Sequence, residues 1–144
     1  MSYSLADRIH RVQPSFTLQM ATRAAEMRDE GIDVINFSVG EPDFNTPIHI
    51  INAGKKAMDD GYTKYTAGPG MIELRKAICE KLERENGINY NPAEILVSNG
   101  EKQSLYNVCQ ALFNEGDEVI TFAPYWVSFP EFVRLADAEP VIVN

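Results

Sequence analysis

The chain has 144 residues, of which 44% are hydrophobic, and a formal charge of −8 with a pI near 4.7. That length suits one domain of ordinary size, and that apolar share suits a real core. The acidic balance, with no basic run beyond Lys55–Lys56, argues against nucleic acid and anionic membranes, which need concentrated positive charge. No stretch approaches the ~18 apolar residues of a membrane helix.

The opening MSYSLADRIHR has no apolar signal core, so a cytoplasmic protein is expected. Residues 15–30 read as an amphipathic helix with Leu18, Ala21, Ala25 and Met27 on one face and Gly31 as its stop. A short strand is expected at 33–38. The loop VGEPDFNTP follows, dense in turn formers. Thr46 is placed to cap the next helix with Pro47 at its first position, and Gly61 ends that helix. GYTKYTAGPG forms a second loop. A third helix is expected over 71–86, with Leu74, Ile78 and Leu82 inward and Asn86-Gly87 closing it.

From residue 94 the rhythm is regular: strand EILVS, helix 101–113, strand EVITF at 118–122, helix 127–136, strand PVIV. Such alternation signals crossovers and a mostly parallel sheet in an α/β fold. The chain stops just as PVIV opens a strand, which leads us to expect the N-terminal portion of a longer protein. Cys79 and Cys109 fall on expected helices without CxxC spacing and read as buried thiols. The triplet Asn36-Phe37-Ser38 lies in an expected strand and is not taken as a glycosylation site. His10 and His49 stand alone, so no metal site is expected.

In open α/β sheets ligands bind beyond the C-terminal ends of the strands. Two loops have that position, SNGEK and APYWV. In the first, Gly100 allows close backbone approach, the amides after it point along a helix N-terminus, and Lys102 adds a cation, which together suit a phosphate. The alternative is that Ser98 and Glu101 form an S-x-x-E capping box that satisfies those amides without a ligand. In the second, Trp126 beside Tyr125 can stack on a planar ligand or pack the following helix on the sheet. Gly40 in VGEPDFNTP and Tyr62 and Tyr65 in GYTKYTAGPG serve either as turn and loop-closing residues or as ligand contacts.

The four loops in this order, VGEPDFNTP, GYTKYTAGPGMIELRKAI, ILVSNGEKQSLY and GDEVITFAPYWVSFPE, closely resemble the start of the class I aminotransferases. These are fold-type-I enzymes dependent on pyridoxal 5′-phosphate, and the match is nearest their bacterial and plant-type aspartate aminotransferase branch. The resemblance covers the chain from about Leu5 onward. It implies the PLP-dependent transferase fold type I. Residues 1–45 would be an N-terminal arm, helix and strand of the small domain. Residues 46–144 would be the first part of the three-layer α/β/α large domain.

The resemblance also implies roles. Gly40 resembles the glycine whose amide helps hold the substrate α-carboxylate. Tyr65 resembles the tyrosine that reaches the cofactor phosphate of the other subunit of a homodimer. Gly100, Glu101 and Lys102 match the phosphate-cradling triplet, where contact through backbone amides lets a glutamate side chain point away. Trp126 corresponds to the ring that stacks on the cofactor pyridine and borders the substrate. The Schiff-base lysine, the aspartate at the pyridine nitrogen and two anion-binding arginines lie later in that family, and none of Lys55, Lys56, Lys64, Lys76, Lys81 and Lys102 matches the lysine. The chain alone is therefore expected to be inactive and, with open sheet edges, poorly soluble. The implied reaction transfers an amino group from an amino acid, aspartate first, to a 2-oxo acid such as 2-oxoglutarate. Aromatic, prephenate, kynurenine and alanine aminotransferases stay open, as do another fold-type-I enzyme and a non-catalytic sensing module.

Overall fold

The computed structural model describes residues 3–144, which divide into two compact units, 42–98 and the remainder. Among these residues no helix is long and apolar enough to cross a membrane.

The first unit comprises residues 3–41 and 99–144. It opens with a single helical turn, α1 (Arg8–Arg11), and α2 (Phe16–Asp29). Ser15 caps α2 by accepting from the Leu18 amide at 3.4 Å, and Gly31, at φ 82°, ends it as expected. The inward stripe is one position away from the expected one: Ala24 is buried between half-buried Ala21 and Met27, whereas Leu18 and Ala25 are exposed. Both stripes satisfy helical periodicity, and packing chooses between them. Residues 33–38 form no strand, and Ile35 and Phe37 are largely exposed. A strand exists only by pairing, and among the described residues nothing pairs with this segment.

Further along this unit come α5 (Glu101–Leu112), β1 (Glu118–Phe122), α6 (Phe129–Leu135) and β2 (Glu139–Val143). The two strands pair in parallel, with Glu118 opposite Glu139 and Phe122 opposite Val143. The connecting helix makes this the strand–helix–strand unit that parallel pairing needs. Its core is Cys109, Val133, Ala136 and Ala138, with Phe113, Val119 and Phe132 packed around them. Val133 is only 3% exposed, a burial that stabilises by on the order of 2 kcal/mol. On β1, Glu118, Ile120 and Phe122 are exposed while Val119 and Thr121 are half-buried, so only one side is covered. The last helix is shorter than the expected 127–136 because residues 126–128 form a turn ahead of Pro130.

The second unit, Pro42–Ser98, contains α3 (Ile48–Asp59) and α4 (Ile72–Asn86). Pro47 occupies the N-cap of α3, so Thr46 lies outside the helix and supplies no cap bond. Gly61 and Gly87, at φ 83° and 69°, terminate the two helices as expected. On α4, Ile78 and Leu82 are half-buried but Leu74 is exposed. The expected strand at 94–98 is absent; a one-turn 3₁₀ helix, Pro92–Glu94, precedes an irregular segment. Asn91 and Glu94 close a reciprocal cap on that turn, 2.9 Å and 2.8 Å, a competing use of these polar residues.

Candidate functional site

The α5 N-terminus is built by Gly100, whose φ of 81° and ψ of 171° lie in a region essentially reserved for glycine. The first bond of the helix runs from the Ser104 amide to the Gly100 carbonyl at 3.4 Å. The amides of Glu101, Lys102 and Gln103 bond to no protein group among the described residues. The expected Ser98/Glu101 capping box does not form. With Gly100 at the N-cap, Glu101 is the first helical residue and out of reach of that role, and no side chain caps the helix. The Ser98 hydroxyl is buried without a partner.

Gln103 does what Glu101 was expected to do. Its side-chain carbonyl accepts from the Asn99 amide, tying the turn from the third helical position. The signal was present in the sequence, since a glutamine at that position is a recognised cap partner. The S-x-x-E frame of Ser98 and Glu101 overlaps it in the sequence. The result is a turn held from behind with its first helical amides free, the arrangement that attracts anions.

Trp126 reaches the same neighbourhood from the turn between β1 and α6, which passes through a cis Ala123–Pro124 peptide. The indole is about half exposed, and the Trp126 backbone carbonyl anchors α6 by accepting from the Phe129 amide at 3.0 Å. The Lys102 Nζ lies 5.4 Å from the ring centroid. Gly100, Glu101, Lys102 and Trp126 are thus one constellation, although the Lys102–Trp126 contact has no signature in sequence. Gly40 belongs to the same unit, in an irregular stretch, and a Cβ there would meet nothing within 4 Å. No hydrogen bond ties Gly40 to the constellation among the described residues.

Tyr65 lies in the second unit and is fully exposed. Its loop borders a cleft of about 520 Å³ lined also by Tyr62, Lys64, Thr66 and Arg75. Gly70 fixes the loop's end: at φ 101°, a Cβ there would stand 2.8 Å from the Val97 side chain. Beside it the Val97 amide donates to the Pro69 carbonyl at 3.0 Å. Arg75 donates to the Pro92 carbonyl at 2.9 Å, and its Nε is buried without a partner.

The free amides and cation suit a phosphate, and the exposed indole suits a flat ring, which are two of the elements that pyridoxal 5′-phosphate needs. Comparisons with known proteins point the same way. Residues 32–144 match the family described as Aminotransferase class I and II. The chain is 53% identical over 139 residues to the aspartate/prephenate aminotransferase of Cereibacter sphaeroides, covering 96% of the chain and 35% of that protein. It is 49% identical over 144 residues to the aspartate aminotransferase of a Bacillus species, of which it covers 37%. Among solved structures, the aspartate aminotransferases of Rhizobium meliloti and of Thermus thermophilus with maleate superpose with TM-scores of 0.93 and 0.92. Both are 44% identical and covered to 36% and 37% of their length by 99% of this chain. The chain therefore spans little more than a third of the relatives it matches.

Proposed function

The chain belongs to the class I and II aminotransferases, and on that premise we propose that it is the N-terminal portion of a pyridoxal 5′-phosphate-dependent transaminase. The full enzyme moves the amino group of aspartate to a 2-oxo acid, 2-oxoglutarate first. The observation that carries the reading is the uncapped first turn of α5 beside an exposed indole. Prephenate is a second acceptor, favoured because the Cereibacter sphaeroides relative is an aspartate/prephenate enzyme.

The amides of Glu101 and Lys102, released by the Gly100 turn, and the Lys102 ammonium hold the phosphate. Trp126 supplies the wall for the ring and, with the Gly40 amide, borders the substrate carboxylate. Tyr65, exposed on its loop, serves the phosphate of a second subunit in a cytoplasmic homodimer. In this division residues 1–45 join a small domain and 46–144 begin the large three-layer α/β/α domain. When bound, the cofactor supplies an electron-withdrawing ring that acidifies the substrate Cα proton and carries the amino group between substrates. The chain's own residues orient it and neutralise its phosphate. The lysines at 55, 56, 64, 76, 81 and 102 include no candidate for the covalent and proton-moving role.

Equilibrium dialysis with pyridoxal 5′-phosphate tests the reading. Saturable binding is expected, competed by inorganic phosphate and weakened about two- to tenfold in Trp126→Ala, the range of an aromatic stacking contact. Binding that phosphate does not compete would sink it. Borohydride reduction with the cofactor present is expected to leave every lysine without a stoichiometric adduct; one fully labelled lysine refutes that assignment.

A further inference from the structure

Lys102 stands where a helix favours a cation least. It is the second residue of α5, inside the turn whose amides carry partial positive charge. It pairs with no carboxylate among the described residues. Its partner is the Trp126 ring, 5.4 Å from Nζ to centroid, within cation–π range.

The Lys102 Nζ stands over the indole and Lys102 belongs to the first turn of α5, so a flat ring laid on that face of the indole by an anion at the first-turn amides meets the ammonium. The ring and the ammonium compete for one aromatic surface. An anionic group at the amides changes the balance, because a fixed negative charge attracts an ammonium more strongly than a ring quadrupole does.

We propose that Lys102 is a displaceable cover on Trp126 that makes the site select phosphorylated flat rings over the same rings without phosphate. The phosphate draws the ammonium away from the indole, and the ring takes the surface it leaves. A ring without an anionic arm must displace the lysine unaided. This inference rests on the phosphate-and-ring reading of the site and extends it from recognition to discrimination.

The test compares the wild type with Lys102→Gln and Lys102→Arg. Dialysis is run with inorganic phosphate, pyridoxine and pyridoxine 5′-phosphate, none of which has an aldehyde to react with lysines. Acrylamide quenching of Trp126, the sole tryptophan, is read without ligand. In K102Q, phosphate is expected to bind about two- to fivefold more weakly and pyridoxine about two- to fivefold more tightly, with Trp126 more accessible to acrylamide. K102R is expected to restore the wild-type pattern, which a loss of fold would not allow. Pyridoxine binding that is unchanged or weaker in K102Q overturns the proposal. A wild-type protein that binds neither inorganic phosphate nor pyridoxine 5′-phosphate overturns the underlying reading instead; the ligand-free quenching then still decides whether Lys102 covers the ring.

Discussion

In residues 101–143, helix and strand alternate, the strands find each other, and β1 turns Val119 onto Cys109 and Val133. In Pro42–Ser98, two helices of 12 and 15 residues form with well-made ends, yet no residue is buried. The difference separates two kinds of information. A helix satisfies its backbone within itself, so α3 and α4 need only their own sequences and glycine stops. A core needs a second surface, and the first unit has one in its paired strands.

The largest effect expected from this contrast comes from placing a charge in each unit. Val133→Asp puts an unpaired carboxylate at a position 3% exposed and is expected to cost about 3 kcal/mol or more. Ile78→Asp, on the half-buried face of α4, is expected to cost about 1 kcal/mol, because the carboxylate keeps most of its water. Urea titrations followed by circular dichroism give both values. Equal costs would mean that the second unit has a core after all.

The second unit does have non-local fixtures, and breaking the tightest comes next. Gly70→Ala adds a Cβ 2.8 Å from Val97 Cγ2 at a φ of 101°, so overpacking and backbone strain combine to about 2–3 kcal/mol. In a double-mutant cycle, Val97→Ala should recover only a small share of the cost, because the Val97 Cβ that alanine keeps itself lies 2.9 Å from the added Cβ. Full recovery would show that the backbone there is relaxed.

Smaller effects come from helix ends. Gly100→Ala, at φ 81° and ψ 171°, is expected to cost about 2 kcal/mol, and Gly87→Ala, at φ 69° and ψ 23°, about 1 kcal/mol. The first conformation is nearly closed to L-residues, and the second is merely disfavoured. Neither added Cβ meets an atom within 4 Å, so the ranking isolates backbone conformation from packing. A larger cost at Gly87 would overturn it.

These ends mark how far the sequence could be read. Gly31, Gly61 and Gly87 stop helices where expected, because a left-handed residue is a local requirement. EVITF and the strand after it were legible as strands and formed, since each supplies the other's partner. EILVS has the same apolar character and stays irregular, because a strand pattern states a willingness to pair and not the presence of a partner. At the site, the Gly100 turn and the exposed Trp126 were legible from residue type and place. The Gln103 tie had a signal in residue type and place that the overlapping S-x-x-E frame masked, and the Lys102–Trp126 contact had none, because it depends on which rotamers the turn permits.

Cys109 extends the contrast to pH. Burial raises its pKa above the ordinary thiol value, since the thiolate loses water in the core. The sign follows: with the folded pKa raised, the stabilisation is fully present below the unfolded thiol value of about 8.5 and is lost as pH rises through the folded one. Alkylation by iodoacetamide should therefore be slower at Cys109 than at half-buried Cys79 at pH 8, and the gap should narrow as pH rises. Peptide mass spectrometry reads each site. Faster labelling of Cys109 would mean that the first unit's core opens readily.

The smallest expected effect lies on the surface of α4. Glu85 is held below the ordinary carboxylate range by side-chain hydrogen bonds from Arg84 and then Lys81, with the Lys81 Nζ at 3.3 Å. A depressed folded pKa means that the contribution is present above the unfolded value of 4.5 and fades as pH falls through the folded one. Lys81→Met should return the Glu85 titration part of the way toward its ordinary value, and Arg84→Met further, in the order of their causes. Both shifts should shrink in 1 M salt, where screening extends over only about 3 Å. Carboxyl NMR chemical shifts follow this residue by residue. A Glu85 pKa that ignores both substitutions and salt would mean that neither cation holds the carboxylate down, since burial would raise its pKa and not lower it.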